Sequence, residues 1–354
     1  MRRRYGPAGM APPNSGDHAR GALYRKIARG NYSSEKGHWR SQNRAKSGLS
    51  LAVRVEIGPD QKFKTVRDWL RYAVSRFRAA NLSYGHGTTN AVDEAAYLIL
   101  HTLHLPIDQL EPWLDAQLLP TERQALAKVI ETRVSTRKPA SYLTNEAWIQ
   151  GHCFYVDERV IVPRSYIGEL LAGRLADVVQ DPDAIGRALD ICTGSGCLAI
   201  LAAIAFPNAL IDASDVSAAA LDVARRNVRD YGLEGRINLL QSDLFAALSG
   251  RRYDLILANP PYVREDAIAA FPPEHAAEPR LAHAGGVDGL EFARRILAAA
   301  ADHLSAAGIL VVEVGSGRAL LEQQFPRLPF LWLDTASSEG EVFALTLGEL
   351  AGLK

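Results

Sequence analysis

Ala188-Leu189-Asp190-Ile191-Cys192-Thr193-Gly194-Ser195-Gly196-Cys197-Leu198-Ala199 is the stretch on which the fold turns. An apolar strand runs into a Gly-Ser-Gly turn, and the turn runs into an Ala-rich helix. Gly194 and Gly196 let the backbone turn tightly and approach a ligand with no Cβ in the way. Outward from this unit the pattern repeats. Helices are expected over 166–179, 196–205, 217–229, 289–303 and 317–325. They alternate with strands over 187–192, 209–214, 236–240, 253–258 and 308–314, and two closely spaced strands follow near 329–333 and 342–347. Such alternation predicts a mostly parallel sheet covered by helices on both faces, with an antiparallel pair at one edge.

The glycine turn admits more than one ligand. Gly194-x-Gly196-x-x-Ala199 fits a dinucleotide fingerprint, and a ligand-free turn between strand and helix is the plain alternative. Asp215 closes the next strand, where a carboxylate can accept both hydroxyls of a ribose. Asp243, after the third strand, is placed to meet an adenine amino group. Asp190 shifts the balance. A carboxylate just before the loop repels a pyrophosphate but suits the amino end of an amino-acid-like ligand, so the chain favours S-adenosylmethionine over NAD.

The chemistry is carried by Ala258-Asn259-Pro260-Pro261-Tyr262-Val263, directly after the apolar strand Tyr253 to Leu257. Asn259 at a strand end followed by two prolines makes a stiff loop with fixed φ and two absent N–H donors. The Asn259 side-chain oxygen and the Pro260 carbonyl can both accept from one planar NH₂ group, an amide or an exocyclic base amine. The lone pair of such a nitrogen is delocalised, so an enzyme must supply positioning and acceptors for developing positive charge. An ordinary Pro-rich turn is the competing reading.

Toward the amino terminus, Tyr142 to Trp148, Gly151 and Phe154 to Val162 read as a β-hairpin connector over 139–164. Val66, Trp69, Leu70, Ala73, Val74 and Phe77 behind Thr65, a second run capped by Asn90, and a third opened by Thr121 predict a small helical domain within 51–138. His101 and His104 have no third ligand partner and read as helix-surface or packing residues rather than a metal site; no metal is expected. Residues 1–50 show no apolar periodicity and read as a basic, disordered arm.

The 354 residues carry 40 Lys plus Arg and 40 Asp plus Glu, a formal net charge of zero. That zero hides a division. Residues 1–50 hold eleven basic and two acidic residues, 51–150 hold 12 and 11, and 151–354 hold 17 and 27. The acidic body argues against a phosphate-backbone binder, leaving only the arm as a contact for nucleic acid. Cys153, Cys192 and Cys197 form no C-x-x-C pair, and no apolar run reaches the ~20 residues of a membrane span. A cytoplasmic enzyme with no membrane partner is expected.

Asp-x-Cys-Thr-Gly-Ser-Gly-Cys at 190–197 together with Asn-Pro-Pro-Tyr at 259–262 resembles the class I, S-adenosylmethionine-dependent N5-glutamine methyltransferases. Asn145 to Trp148, Phe154 to Ser165, Asp288-Gly289-Leu290, Glu313-Val314-Gly315 and Phe330 to Leu333 resemble its ribosomal-protein branch, and the likeness covers roughly residues 65–347. Tyr166 stands where the family often has proline. The resemblance implies a class I methyltransferase domain over 165–354 with a mostly parallel seven-stranded sheet. It implies methylation of a glutamine amide in the third protein of the large ribosomal subunit, with the helical domain recognising that substrate. Asp190, Thr193, Gly194, Ser195, Gly196, Asp215, Asp243 and Asn259 would line the cofactor site. Asn259, Pro260, Pro261 and Tyr262 would grip the amide, and Glu278 would border the substrate entrance. Two other classes stay open: a DNA adenine-N6 methyltransferase, which uses the same Asn-Pro-Pro-Tyr logic, and a non-catalytic cofactor-binding module.

Overall fold

The computed structural model describes residues 62–353, so the basic arm lies outside the described residues. Helix α1 (Val66–Ala79) starts where Thr65 accepts from the N–H of Asp68 while Asp68 reaches back to the Thr65 N–H. This capping box satisfies two donors that the first turn would otherwise leave unpaired. Helix α2 (Ala91–Thr102) starts at Asn90, whose Oδ1 accepts from Val92 and Asp93. Helix α3 (Pro120–Thr136) places Pro120 at its first position, one residue ahead of the expected Thr121, where a missing N–H costs nothing. The three helices bury Trp69, Phe77, Leu98, Ile99, Leu126 and Ile130 in a core of their own.

The connector differs in detail from expectation. Residues 140–144 form a short helix, α4 (Ala140–Thr144), because Pro139 starts a helical turn rather than a strand. Strands β1 (Glu146–Ile149) and β2 (His152–Tyr155) then pair antiparallel across Gln150 and Gly151, at φ 50° and 80°. Two successive positive φ values are the two-residue turn that matches strand twist. Val160 to Val162 is not a strand; Val162 gives its N–H to the Glu278 side chain instead.

Beyond it lie helix α5 (Ile167–Ala172), strand β3 (Arg187–Ile191), helix α6 (Cys197–Ala205), strand β4 (Leu210–Asp215), helix α7 (Ala218–Asp230), strand β5 (Ile237–Gln241) and strand β6 (Tyr253–Ala258). Helix α8 (Glu291–Ala300), strand β7 (Leu304–Glu313), helix α9 (Arg318–Gln324), strand β8 (Leu331–Leu333) and strand β9 (Val342–Thr346) follow, with single helical turns at Glu265–Ile268 and Leu347–Leu350 besides. Helix α5 is shorter than expected because Gly173 ends it and Arg174 and Leu175 take left-handed φ.

Seven strands form one sheet in the order β5-β4-β3-β6-β7-β9-β8. The first five run parallel, and β9 lies antiparallel between β7 and β8. Side chains alternate between two cores, as a sheet covered on both faces requires. Ala188, Leu255, Leu257 and Val311 pack against α5 and α6 on one face. Leu189, Ile191, Ile256 and Leu310 pack against α8 on the other. The chain runs from β3 outward to β4 and β5, then returns to β6 on the other side of β3. A reversal of this kind opens a crevice at the carboxyl ends of β3 and β6, the usual ligand position in such sheets. Among the described residues no helix is long and apolar enough to cross a membrane.

Candidate active site

The strand register brings the candidate residues to one edge. Ile191 pairs with both Ser214 and Ala258, and Ala258 pairs with Val312. Cys192, Asp215, Asn259 and Glu313 therefore leave four adjacent strands at the same level.

Asp190 is buried beneath the glycine turn. Its Oδ2 accepts from Thr193 Oγ1 at 2.5 Å and from the Ala199 N–H at 3.1 Å. Its Oδ1 is buried with no hydrogen-bond partner among the described residues. Burial outweighs those two donors and pushes the carboxyl up to about 7. A buried acceptor left unpaired costs free energy unless a ligand donor meets it.

The turn above Asp190 is held from two sides. Cys192 at φ 60° and Gly194 at φ 55° swing the chain out of β3. Gly194 donates its N–H to Asp215 Oδ2 at 2.9 Å, and Ser217 donates to Asp215 Oδ1 at 2.9 Å. Burial raises the Asp215 carboxyl, against those backbone donors. Gly196, at φ 79°, lies so close to α7 that a Cβ there would stand 3.1 Å from the Ala224 Cβ. Asn227, also on α7, donates to the carbonyl of Ser195 at 2.8 Å. It also exchanges two hydrogen bonds with the backbone of Tyr155 in β2. The glycine turn and the hairpin are thus tied to one buried amide. Asp243 is exposed at the rim and pairs with Arg295 of α8 at 2.7 Å.

The second half of the site is the loop after β6. Pro260 is buried, while Asn259, Pro261 and Tyr262 are half-buried. Among the described residues, neither the Asn259 side chain nor the Pro260 carbonyl takes part in a hydrogen bond, so both acceptors stay available beside the turn. Tyr262 donates its hydroxyl to Glu313 Oε1 at 3.0 Å, and burial lifts its phenol well above the usual range.

Glu278, expected at the border of the substrate entrance, is a buried residue. Its carboxylate is enclosed, with Oε1 accepting from the Val162 N–H at 3.0 Å and from Arg164 at 2.9 Å. Oε2 accepts from Arg164 at 3.0 Å, and His283 and His86 Nε2 lie 3.0 and 3.4 Å from it. Burial alone would raise this acid, but the two histidines and the Arg164 guanidinium hold it well below the usual carboxylate range. Nearby, Glu274 is buried and accepts from the Ser83 N–H at 3.0 Å and pairs with Arg137 at 2.8 Å. The segment after the Asn-Pro-Pro-Tyr loop is therefore bonded to the helical region. His86, His275 and Glu278 bring possible ligand atoms within 4.8 Å of one another. The fixed positive charge of Arg164 already occupies that carboxylate and disfavours a cation there.

Asn227, His86, Arg164 and Glu313 were not among the expected site residues. Only Arg164 and Glu313 stood inside motifs that the resemblance marked.

A mostly parallel sheet with its crevice at β3 and β6, a ligand-ready carboxylate under a glycine turn, and an Asn-Pro-Pro-Tyr loop with free acceptors define a class I methyltransferase. Residues 169–272 match the family model described as Methyltransferase small domain. The chain is 56% identical over 290 residues to the ribosomal protein uL3 glutamine methyltransferase of Bordetella pertussis, covering 82% of this chain and 97% of that one. It is 55% identical over 295 residues to the enzyme of the same name from Burkholderia pseudomallei, covering 81% and 96%. Among solved structures, the ribosomal protein L11 methylase of Lactobacillus delbrueckii subsp. bulgaricus aligns with a TM-score of 0.35 and 20% identity, over 50% of this chain and 75% of that one. The chain belongs to the ribosomal protein uL3 glutamine methyltransferase family.

Proposed function

We propose that this protein transfers a methyl group from S-adenosylmethionine to the side-chain amide nitrogen, N5, of a glutamine in ribosomal protein uL3. The observation that carries the site assignment is the pairing of two unmet needs across one crevice. Asp190 holds a buried oxygen without a donor, and the neighbouring strand ends in two acceptors without donors.

The residues fit the cofactor on this chain's own geometry. Asp190 Oδ1 would accept from its ammonium group, Thr193 through Gly196 would cradle it, Asp215 would take the ribose hydroxyls, and Asp243 would stand at the adenine end. When bound, S-adenosylmethionine supplies an electrophilic methyl group on a sulfonium. Asn259 Oδ1 and the Pro260 carbonyl would accept both N–H groups of the glutamine amide and fix its plane. They also face the nitrogen on which positive charge develops, which is where preorganised acceptors lower a barrier. Pro260 and Pro261 hold the loop with little to reorganise, and the Tyr262 ring would cover the apolar stem of the glutamine.

Protein recognition falls to the helical region, which Ser83, His86 and Arg137 bind to the segment that follows the loop. Residues 151–354 hold 17 basic and 27 acidic residues, a charge that suits a basic protein partner and repels a phosphate backbone. The test is Asn259→Ala, which is expected to cost several orders of magnitude in turnover while leaving cofactor affinity largely intact. Turnover within a few fold of wild type would remove Asn259 from its role.

A further inference from the structure

Glu313 ends β7 with its side chain fully enclosed, and three donors converge on it from two separate parts of the chain. Oε1 accepts from the Tyr262 hydroxyl at 3.0 Å. Oε2 accepts from Ser165 Oγ at 2.6 Å and from the Tyr166 N–H at 3.0 Å. Ser165 and Tyr166 form the exit of the hairpin connector, 148 and 147 residues away in sequence. All three donors are neutral. Among the described residues no Lys, Arg or His forms an ion pair with Glu313. Enclosing a carboxylate without a cation is costly, so packing alone does not account for an acid here.

What Glu313 holds is the last residue of the amide-gripping loop. The Tyr262 ring lies against Gly315, at φ 50°, where a Cβ would stand 2.8 Å from Tyr262 Cε2. The Tyr262 carbonyl lies against Gly289, where a Cβ would stand 2.5 Å from it. Ring, hydroxyl and backbone of Tyr262 are each fixed by a different neighbour. Asn259 and Pro260 stand three and two residues before it on a chain stiffened by two prolines. A displacement at Tyr262 therefore passes directly to the two acceptors.

We propose that Glu313 is a positioning residue for the methyl transfer: acting through the Tyr262 hydroxyl, and anchored at the hairpin exit by Ser165 and Tyr166, it sets the register of the Asn259–Tyr262 loop. This rests on the reading that the loop grips the acceptor amide. Glu313 touches neither cofactor nor amide. It fixes the geometry in which Asn259 Oδ1 and the Pro260 carbonyl meet one NH₂ group.

The experiment compares Glu313→Gln, Tyr262→Phe and the double variant in the full chain, with uL3 and S-adenosylmethionine as substrates. It measures kcat, KM for uL3, and cofactor Kd by calorimetry. A misplacement of about 1 Å costs on the order of 10²-fold in rate, so Glu313→Gln is expected to lower kcat about 30- to 100-fold. KM and Kd should stay within about 3-fold of wild type, as loss of an effect confined to the transition state requires. Because both groups act along one path, the double variant should be no more than about 3-fold slower than the slower single variant. Wild-type kcat in Glu313→Gln would overturn the proposal. So would losses that multiply in the double variant, or a parallel loss of cofactor affinity. If Glu313→Gln does not fold, Tyr262→Phe decides, because it leaves Ser165 and Tyr166 bonded to Glu313; wild-type kcat there overturns the proposal equally. Asn259→Ala in the same assay separates the two readings. An active Asn259→Ala variant defeats the amide grip itself, whereas an inactive one beside a fully active Glu313→Gln defeats only the role of Glu313.

Discussion

Asp215 Oδ2 accepts the Gly194 N–H at 2.9 Å, so the acid at the end of β4 fixes the glycine turn at the end of β3. Asp215 thus holds the turn through hydrogen bonds from the Gly194 and Ser217 N–H groups. Asp215→Ala should weaken S-adenosylmethionine binding by at least ~10-fold. It should also lower unfolding stability by about 1–3 kcal/mol through the N–H groups left unpaired at Gly194 and Ser217. Calorimetry and thermal melting measure the two effects; loss of affinity with wild-type stability would reduce Asp215 to a ligand contact alone.

Asp190 carries an unusual pH signature. Its ordinary value is 3.8, and burial lifts it to about 7 in the folded protein. Between those values the folded state binds more protons than the unfolded one, so stability falls as pH rises through that window. Asp190→Asn removes that cost. The variant is expected to melt above wild type at pH 8, to match it near pH 4, and to lose cofactor binding at both. A variant less stable than wild type at pH 8 would contradict the assignment. In the wild type, cofactor affinity should weaken as pH drops below about 7, because the ammonium acceptor becomes protonated.

Glu278 has the opposite sign. Its folded value lies below the ordinary 4.5, so its contribution is complete above pH 4.5 and fades as pH falls toward the folded value. Glu278→Gln should therefore destabilise at pH 7, and the gap to wild type should narrow below pH 4.5. The loss should fall below the ~3–5 kcal/mol of a fully buried pair, because the Arg164 side chain is 34% exposed. Denaturant melts at pH 7 and pH 3 check this; a constant gap would mean that Glu278 is not an ionised anchor.

What could be read from the chain before its structure follows from the range of each interaction. Thr65 and Asn90 announce their helices because a cap acts over two or three residues. The strand–Gly-Ser-Gly–helix unit and Asn-Pro-Pro-Tyr are local in the same sense. Val160 to Val162 shows the limit. Its branched, apolar residues look like a strand, yet the Val162 N–H donates to the carboxylate of Glu278, 116 residues on. Asn227 binds Tyr155 across 72 residues, and Glu313 binds Ser165 across 148. No periodicity encodes such pairs. The enclosure of the Glu278 carboxylate was not legible either, because Val162 and Arg164, which donate to it, stand 116 and 114 residues away.

The central claim is that the acceptor is an amide nitrogen. The most direct test incubates the full chain with methyl-labelled S-adenosylmethionine and an equimolar mixture of unmethylated uL3 and adenine-containing duplex DNA. The protein is then digested and the label placed by mass spectrometry. The expected result is label on uL3 alone, at the side-chain nitrogen of one glutamine and absent with Asn259→Ala. Label on adenine, or on neither acceptor despite measurable cofactor binding, would contradict the account.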